Sequence, residues 1–427
     1  MDRTIGRVAG RGRGTRAGRP RFPRRAAALA LVALLTAAAP GCAPPAGADT
    51  SLTVRELDAT LERRAAAVLA KDAAGYLEPI APEARKLRAA QRTEFANLAA
   101  VPLKSWTYEV RETPEQDGDW ATAEVELRYR IDGYDAAPVA TRRTLELMRE
   151  GDRWYVTADR PADGASDQLW HQGKVTVVRG AHSLVLGVGR PQEELRRIAD
   201  TVDLAVPAVS DAWPGEWARR VVVHVPDSVA SMAGLLGSPE NSYRGIAAVT
   251  TGEAGTGGER PAIADRVIVN PQAYDSLGSF GQRIVLTHET VHVATRTSTS
   301  AATPVWLSEG FADWAAYRGE DRTPDLITPA LTKAVRAGDV PDAFPVDEDF
   351  GFDGDPDELA RAYESAWMAC ELIAERWGKE KLTAFYAAVG AHSGRDGSVE
   401  QAMDAVLDTT PERFTADWRD YLGTRLG

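Results

Sequence analysis

Six histidines occur in 427 residues, and two of them stand four apart in "SFGQRIVLTHETVHVATR", residues 279–296. Ile284, Val285, Val291 and Ala294 make the stretch largely apolar, which predicts a mostly buried helix. Ser279 and Gln282 have the spacing of a capping box at its start. Side chains four apart on a helix project from nearly the same face, so His288 and His292 can converge on one point. Two readings follow. The pair are hydrogen-bonded core histidines, or they are two ligands of one ion, with Glu289 one step round the helix and able to reach a water bound to that ion.

The next helix weakens the first reading. "TPVWLSEGFADWAAYRG", residues 303–319, has Thr303 as a cap, Pro304 in the first turn and Gly319 past the end. A metzincin pattern would continue with Gly at 295 and His at 298, where this chain has Thr295 and Ser298. Another zinc pattern takes its third ligand from a glutamate on the following helix, and Glu309 meets it, seventeen residues after His292. Asp313, four residues further on, lies on the same face, placed to accept the free N–H of a ligand imidazole.

HETVH followed by WLSEGFADW resembles the gluzincin metallopeptidases of the peptidase MA clan, the group that includes thermolysin-like enzymes and zinc aminopeptidases. The resemblance extends over about residues 175–427. It implies one Zn2+ per chain held by His288, His292 and Glu309, with Asp313 behind a ligand imidazole and Glu289 as the general base of an enzyme that hydrolyses a peptide or protein substrate. Gluzincins stabilise the oxyanion with a tyrosine or histidine, which points to Tyr363 in "RAYESAWMACELIAERWG" and, as a second choice, to His392. They also place a strand above the metal helix, along which an extended peptide pairs. "RVIVN", residues 266–270, is the strand so placed, a buried core strand being the other reading. The absence of a Gly-Ala-Met-Glu-Asn-like element points away from an aminopeptidase.

The amino terminus reads as an export signal. Residues 1–41 hold nine arginines against Asp2, a charge of +8, and end in the apolar run "AAALALVALLTAAA". Fourteen residues are too few to span a bilayer as a helix but suit a signal core. "APGC" then resembles a bacterial lipobox, which implies lipidation at Cys42 and a protein anchored on the outer face of the cell membrane, or secreted if the cysteine is unmodified. Since the whole chain carries −12, the remainder sits near −20, the wrong sign for binding nucleic acid. Cys370 falls in an apolar helical pattern and reads as a buried thiol.

After a Pro/Ala/Gly tether over 42–50, Leu52, Leu57, Leu61, Val68 and Leu69 have the spacing of one apolar helix face. Alternating segments follow. In one, Ala123, Val125, Leu127 and Tyr129 alternate with charged residues, as in a half-exposed antiparallel strand. Helices followed by long strands closing on "GDRWYV" resemble the nuclear-transport-factor-2-like, cystatin-like α+β domains over roughly 51–163. "RPADGASD", 160–167, marks a boundary. The expectation is thus an α+β protein: a cystatin-like domain over 51–166, then a zincin-type metallopeptidase domain over 167–427, with a small twisted sheet over the HETVH helix and a mainly helical lobe. The alternative is a binding or scaffold lipoprotein whose peptidase-like domain retains metal but turns over little substrate.

Overall fold

The computed structural model describes residues 52–252, 264–351 and 355–427, so the export segment, Cys42 and the tether lie outside it. The fold is α+β, and Thr50–Gly427 form one compact unit. Helix α1 (Val54–Ala70) begins at Thr53, whose hydroxyl accepts from the Glu56 amide while the Glu56 carboxylate accepts from the Thr53 amide. Helices α2 (Ala73–Leu77) and α3 (Arg85–Ala100) follow. Leu57, Leu61 and Val68 are buried as their spacing predicts, but Leu69 is 45% exposed. Its expected place on the inner face belongs to Arg64, fully buried and 3.1 Å from Asp159. Arg143 holds the same carboxylate at 2.6 Å. Burial alone would raise the Asp159 carboxyl, yet the two guanidinium groups hold it down at about 2.

Strands β1 (Leu103–Val110), β2 (Glu115–Asp117), β3 (Trp120–Ile131), β4 (Val139–Glu150) and β5 (Arg153–Pro161) form an antiparallel sheet ordered β1-β3-β4-β5, with β2 on β3. Ala123, Val125, Leu127 and Tyr129 of β3 face inward, each 2% exposed or less. The opposite face is not simply solvated: Glu126 is buried between Arg111 and Arg128.

The second sheet runs β6-β7-β8-β10-β9. β6 (Val175–Arg179) and β7 (Ser183–Val188) make a hairpin, and α4 (Gln192–Ala212) returns the chain to β8 (Val221–Val225), parallel to β7. After α5 (Val229–Leu236) come β9 (Ala248–Gly252) and β10 (Asp265–Val269). β8 is buried along its whole length, as expected of a parallel strand covered on both faces. β10 pairs with β8 on one side and β9 on the other. The segment "RVIVN" therefore offers no free edge to an extended peptide, because its backbone groups are already used within the sheet. The outer strand is β9.

Helix α6 (Pro271–Ser276) leads into α7 (Ser279–Thr295), and α8 (Val305–Tyr317), α9 (Pro324–Ile327), α10 (Pro329–Arg336), α11 (Pro356–Trp377), α12 (Lys379–Gly390), α13 (Ser398–Ala402) and α14 (Pro411–Leu426) complete the chain. Both expected caps differ. Gly278 precedes α7, and Gln282 donates to the Tyr274 carbonyl at 3.1 Å instead of closing a box with Ser279. Thr303 accepts from Ser300, while the first amide of α8, that of Val305, is met at 2.9 Å by Asp347. Cys370 is fully buried in the core of these helices, with Phe311, Met368 and Trp418, and burial pushes its thiol well up. No described helix is long and apolar enough to cross a membrane.

The two sheets share a core in which Trp106, Tyr129 and Trp170 pack with Leu186, Val222 and Ile268. Asp135, in the turn between β3 and β4, meets Arg266 of β10 through two contacts of 2.7 and 3.0 Å, both side chains buried. Removing one partner of a buried pair costs more than the pair contributes, because the other charge stays desolvated. Asp135→Ala should therefore destabilise the protein by about 3–5 kcal/mol in urea unfolding, against under about 1 kcal/mol for Asp132→Ala, whose exposed carboxylate lies 4.0 Å from Lys104.

Candidate metal centre

Helices α7 and α8 pack together and bring two imidazoles and a carboxylate to one place. His288 Nε2 lies 3.0 Å from His292 Nε2 and 3.2 Å from Glu309 Oε2, and His292 Nε2 lies 3.6 Å from Glu309 Oε1. Ligands about 2.0–2.2 Å from a tetrahedral ion are separated by roughly 3.3–3.6 Å; two edges of this triangle are slightly shorter, and its N, N, O donors are of a kind that zinc takes. Among the described residues this is the one group of three or more His, Cys, Asp or Glu with its ligand atoms all within 4.8 Å of one another.

Asp313, one turn along α8 from Glu309, reaches His288 Nδ1 at 2.8 Å. A carboxylate there demands N–H on Nδ1, which leaves the Nε2 lone pair facing the cluster. Burial would lower the His288 pKa, but the Asp313 and Glu309 carboxylates hold it well above its ordinary value. Burial would likewise raise Glu309, yet His292 and His288 hold it far below the usual carboxylate range. The charges of the imidazoles and of the carboxylate are thus electrostatically interdependent.

The depth of Glu309 is set by its neighbour Gly310. A Cβ there would stand 2.3 Å from the Ala366 carbonyl and 3.1 Å from Cys370 Sγ, so α8 rests directly on α11. On the other side of α7, Thr250 of β9 donates to the Glu289 carboxylate at 2.6 Å and to its carbonyl at 2.9 Å. Arg296, just past the end of α7, pairs with Asp265 of β10 at 2.7 Å. No local pattern marks Thr250 or Asp265, because their role depends on which strands lie side by side.

The other residues singled out in the sequence lie around this cluster. Glu289 is buried and held by Thr250. Tyr363 sits on α11, edge-on to Phe350 at 5.1 Å, and lines a cavity with Asp313. Burial, then the charges of Glu309, Asp313 and Glu289, push its phenol strongly up. His392 lies in the turn after α12, its Nδ1 2.7 Å from the Gly394 carbonyl.

Residues 47–174 match the family model of "Conjugal transfer protein TrbH", which covers less than a third of the chain and ends before the metal centre. No curated protein is similar enough to the chain to count as a match. Among solved structures, native yeast LTA4 hydrolase is similar at 12% identity and a TM-score of 0.35, over 66% of this chain. The chain spans 44% of that protein's length, and a likeness of this size carries no argument about fold or chemistry. The family match corrects the expectation drawn from HETVH and WLSEGFADW. It names a conjugal transfer family in place of the gluzincin metallopeptidases, and in place of the nuclear-transport-factor-2-like domains over the amino-terminal part. The zinc peptidase, with Glu289 as its general base, falls with that assignment. The structure adds that β10 has no free edge along which an extended substrate could pair.

Because the close approach at Gly310 is to backbone, it cannot be relieved by a side-chain rotation. Gly310→Ala should force α8 from α11 and cost about 1–3 kcal/mol, read as a lowered Tm. Gly319→Ala, with open space around residue 319 but a φ of +85°, should cost about 1 kcal/mol, through backbone strain alone.

Proposed function

We propose that the chain is an exported binding or scaffold lipoprotein, anchored through Cys42, that holds one Zn2+ through His288, His292 and Glu309. In this reading the 51–166 part supplies an α+β body within the region that matches the conjugal transfer family, and the 167–427 part carries the ion. The observation that carries the metal reading is the triangle of ligand atoms at 3.0, 3.2 and 3.6 Å, with Asp313 fixing one imidazole. Support for the envelope location comes from the basic, apolar, cysteine-ended start of the sequence.

Three protein ligands leave a tetrahedral ion one open position. In a binding protein that position takes a donor atom from a partner, a peptide or protein side chain. Nucleic acid is disfavoured by the acidic body.

Protein expressed from residue 43 onward should contain about one zinc per chain by elemental analysis, and His288→Ala or Glu309→Ala should each lose most of it. Full occupancy in both variants would rule out this ligand set. The anchor is tested separately by fractionation. The full chain should partition with membranes and Cys42→Ala should not, since stable anchoring depends on the attached acyl chains; equal release of both into the soluble fraction would end that part of the reading.

A further inference from the structure

Beside the metal centre, and touching it at Asp313, lies a cavity of about 530 Å3. Its lining includes three aromatic rings, Tyr317, Tyr363 and Trp367, and two carboxylates, Asp313 and Glu364, and among the described residues no lysine or arginine. Asp313 is already engaged by His288 Nδ1. Glu364 has no cation beside it among the described residues: its oxygens accept the amides of Ala330 at 3.3 Å and Leu331 at 2.6 Å, at the start of α10.

Glu364 is therefore a carboxylate at the wall of an aromatic cavity with its charge unmatched. Burial raises its pKa and Asp313 and Asp357 add to this, bringing it to about 7 despite the two amide hydrogen bonds. An entering cation would relieve that cost. Aromatic faces attract cations through their quadrupole, and Tyr317 and Trp367 meet edge-on at 6.3 Å, so both rings can border one guest. The nature of that guest follows from the rest of the lining: rings and aliphatic side chains beside one carboxylate suit a cation carried on an apolar stem better than a bare metal ion.

We propose that this cavity is a recognition pocket for a lysine or arginine side chain of a partner peptide, with Glu364 pairing the charge and Tyr317, Tyr363 and Trp367 enclosing the aliphatic stem. The pocket needs no ion, so it stands apart from the zinc reading although it borders the same site. Apolar surface at Ile246, Ile327 and Leu359 suits the methylene groups of a long basic side chain.

Calorimetric titration of the full chain, before and after metal removal by a chelator, tests the pocket with blocked tripeptides Gly-Arg-Gly, Gly-Lys-Gly, Gly-norleucine-Gly and Gly-Glu-Gly. The basic peptides should bind at least tenfold more tightly than the norleucine one, with and without metal, and the acidic peptide least. Glu364→Gln keeps the size and an acceptor for the α10 amides and should abolish the preference. Ile246→Arg places a competing cation at the cavity and should abolish binding of the basic peptides while leaving zinc content unchanged. Equal affinity for the norleucine peptide, an undiminished preference in Glu364→Gln, a preference that vanishes with the metal, or no binding of any basic peptide would overturn the proposal. Zinc content is read separately, so loss of the zinc reading and loss of the pocket are distinguishable results.

Discussion

At Gly310 two helices meet with no side chain between them, and the arrangement of the centre follows from that contact. The residue before it is Glu309, and Asp313 lies one turn beyond. Seating α8 directly on α11 fixes how far both carboxylates stand from the histidines of α7. A glycine is used here for the closeness it permits, since a methyl group would already collide with the Ala366 carbonyl. The first amide of α8 is capped by Asp347, so the same helix is fixed at its start as well as along its side.

Helix α7 is held from the other direction by the sheet. Thr250 ties Glu289 to β9, and Arg296 ties the end of the helix to Asp265 of β10. The strand that carries Asp265 also carries Arg266, whose partner Asp135 belongs to the amino-terminal sheet. Two ion pairs, borne by the consecutive residues 265 and 266, therefore link the first sheet to the end of the helix that carries His288 and His292. The region that matches the conjugal transfer family is packed into the same core as the strands beside the centre.

Periodicity disclosed what is local and concealed what is not. His288, His292, Glu309 and Asp313 could be placed on shared helix faces because four residues return a side chain to the same side, and the structure brings those four together. Arg64 was invisible for the opposite reason. A charged residue in a helix reads as solvent-facing, yet here it lies inside, matched by Asp159, while Leu69 faces water. Glu126 repeats the lesson within a strand, buried between two arginines. "RVIVN" could be read as a strand, but whether it lay at an edge depended on β9 folding back beside it, which no short window contains. The largest divergence concerns family. The fourteen residues of HETVH and WLSEGFADW suggested a peptidase, but a metal-binding pattern is a statement about geometry and not about turnover.

The cap that Asp347 gives to Val305 has a temporal side. A chain emerges from the ribosome amino end first, and α7 and α8 appear well before the carboxylate that completes the first turn of α8. The surface that receives Gly310, on α11, appears later still. During synthesis the histidines and Glu309 are thus exposed together on a nascent segment that has no fixed seat for them. The geometry at this centre is a late product of chain growth, completed by residues that are made after its own donor atoms.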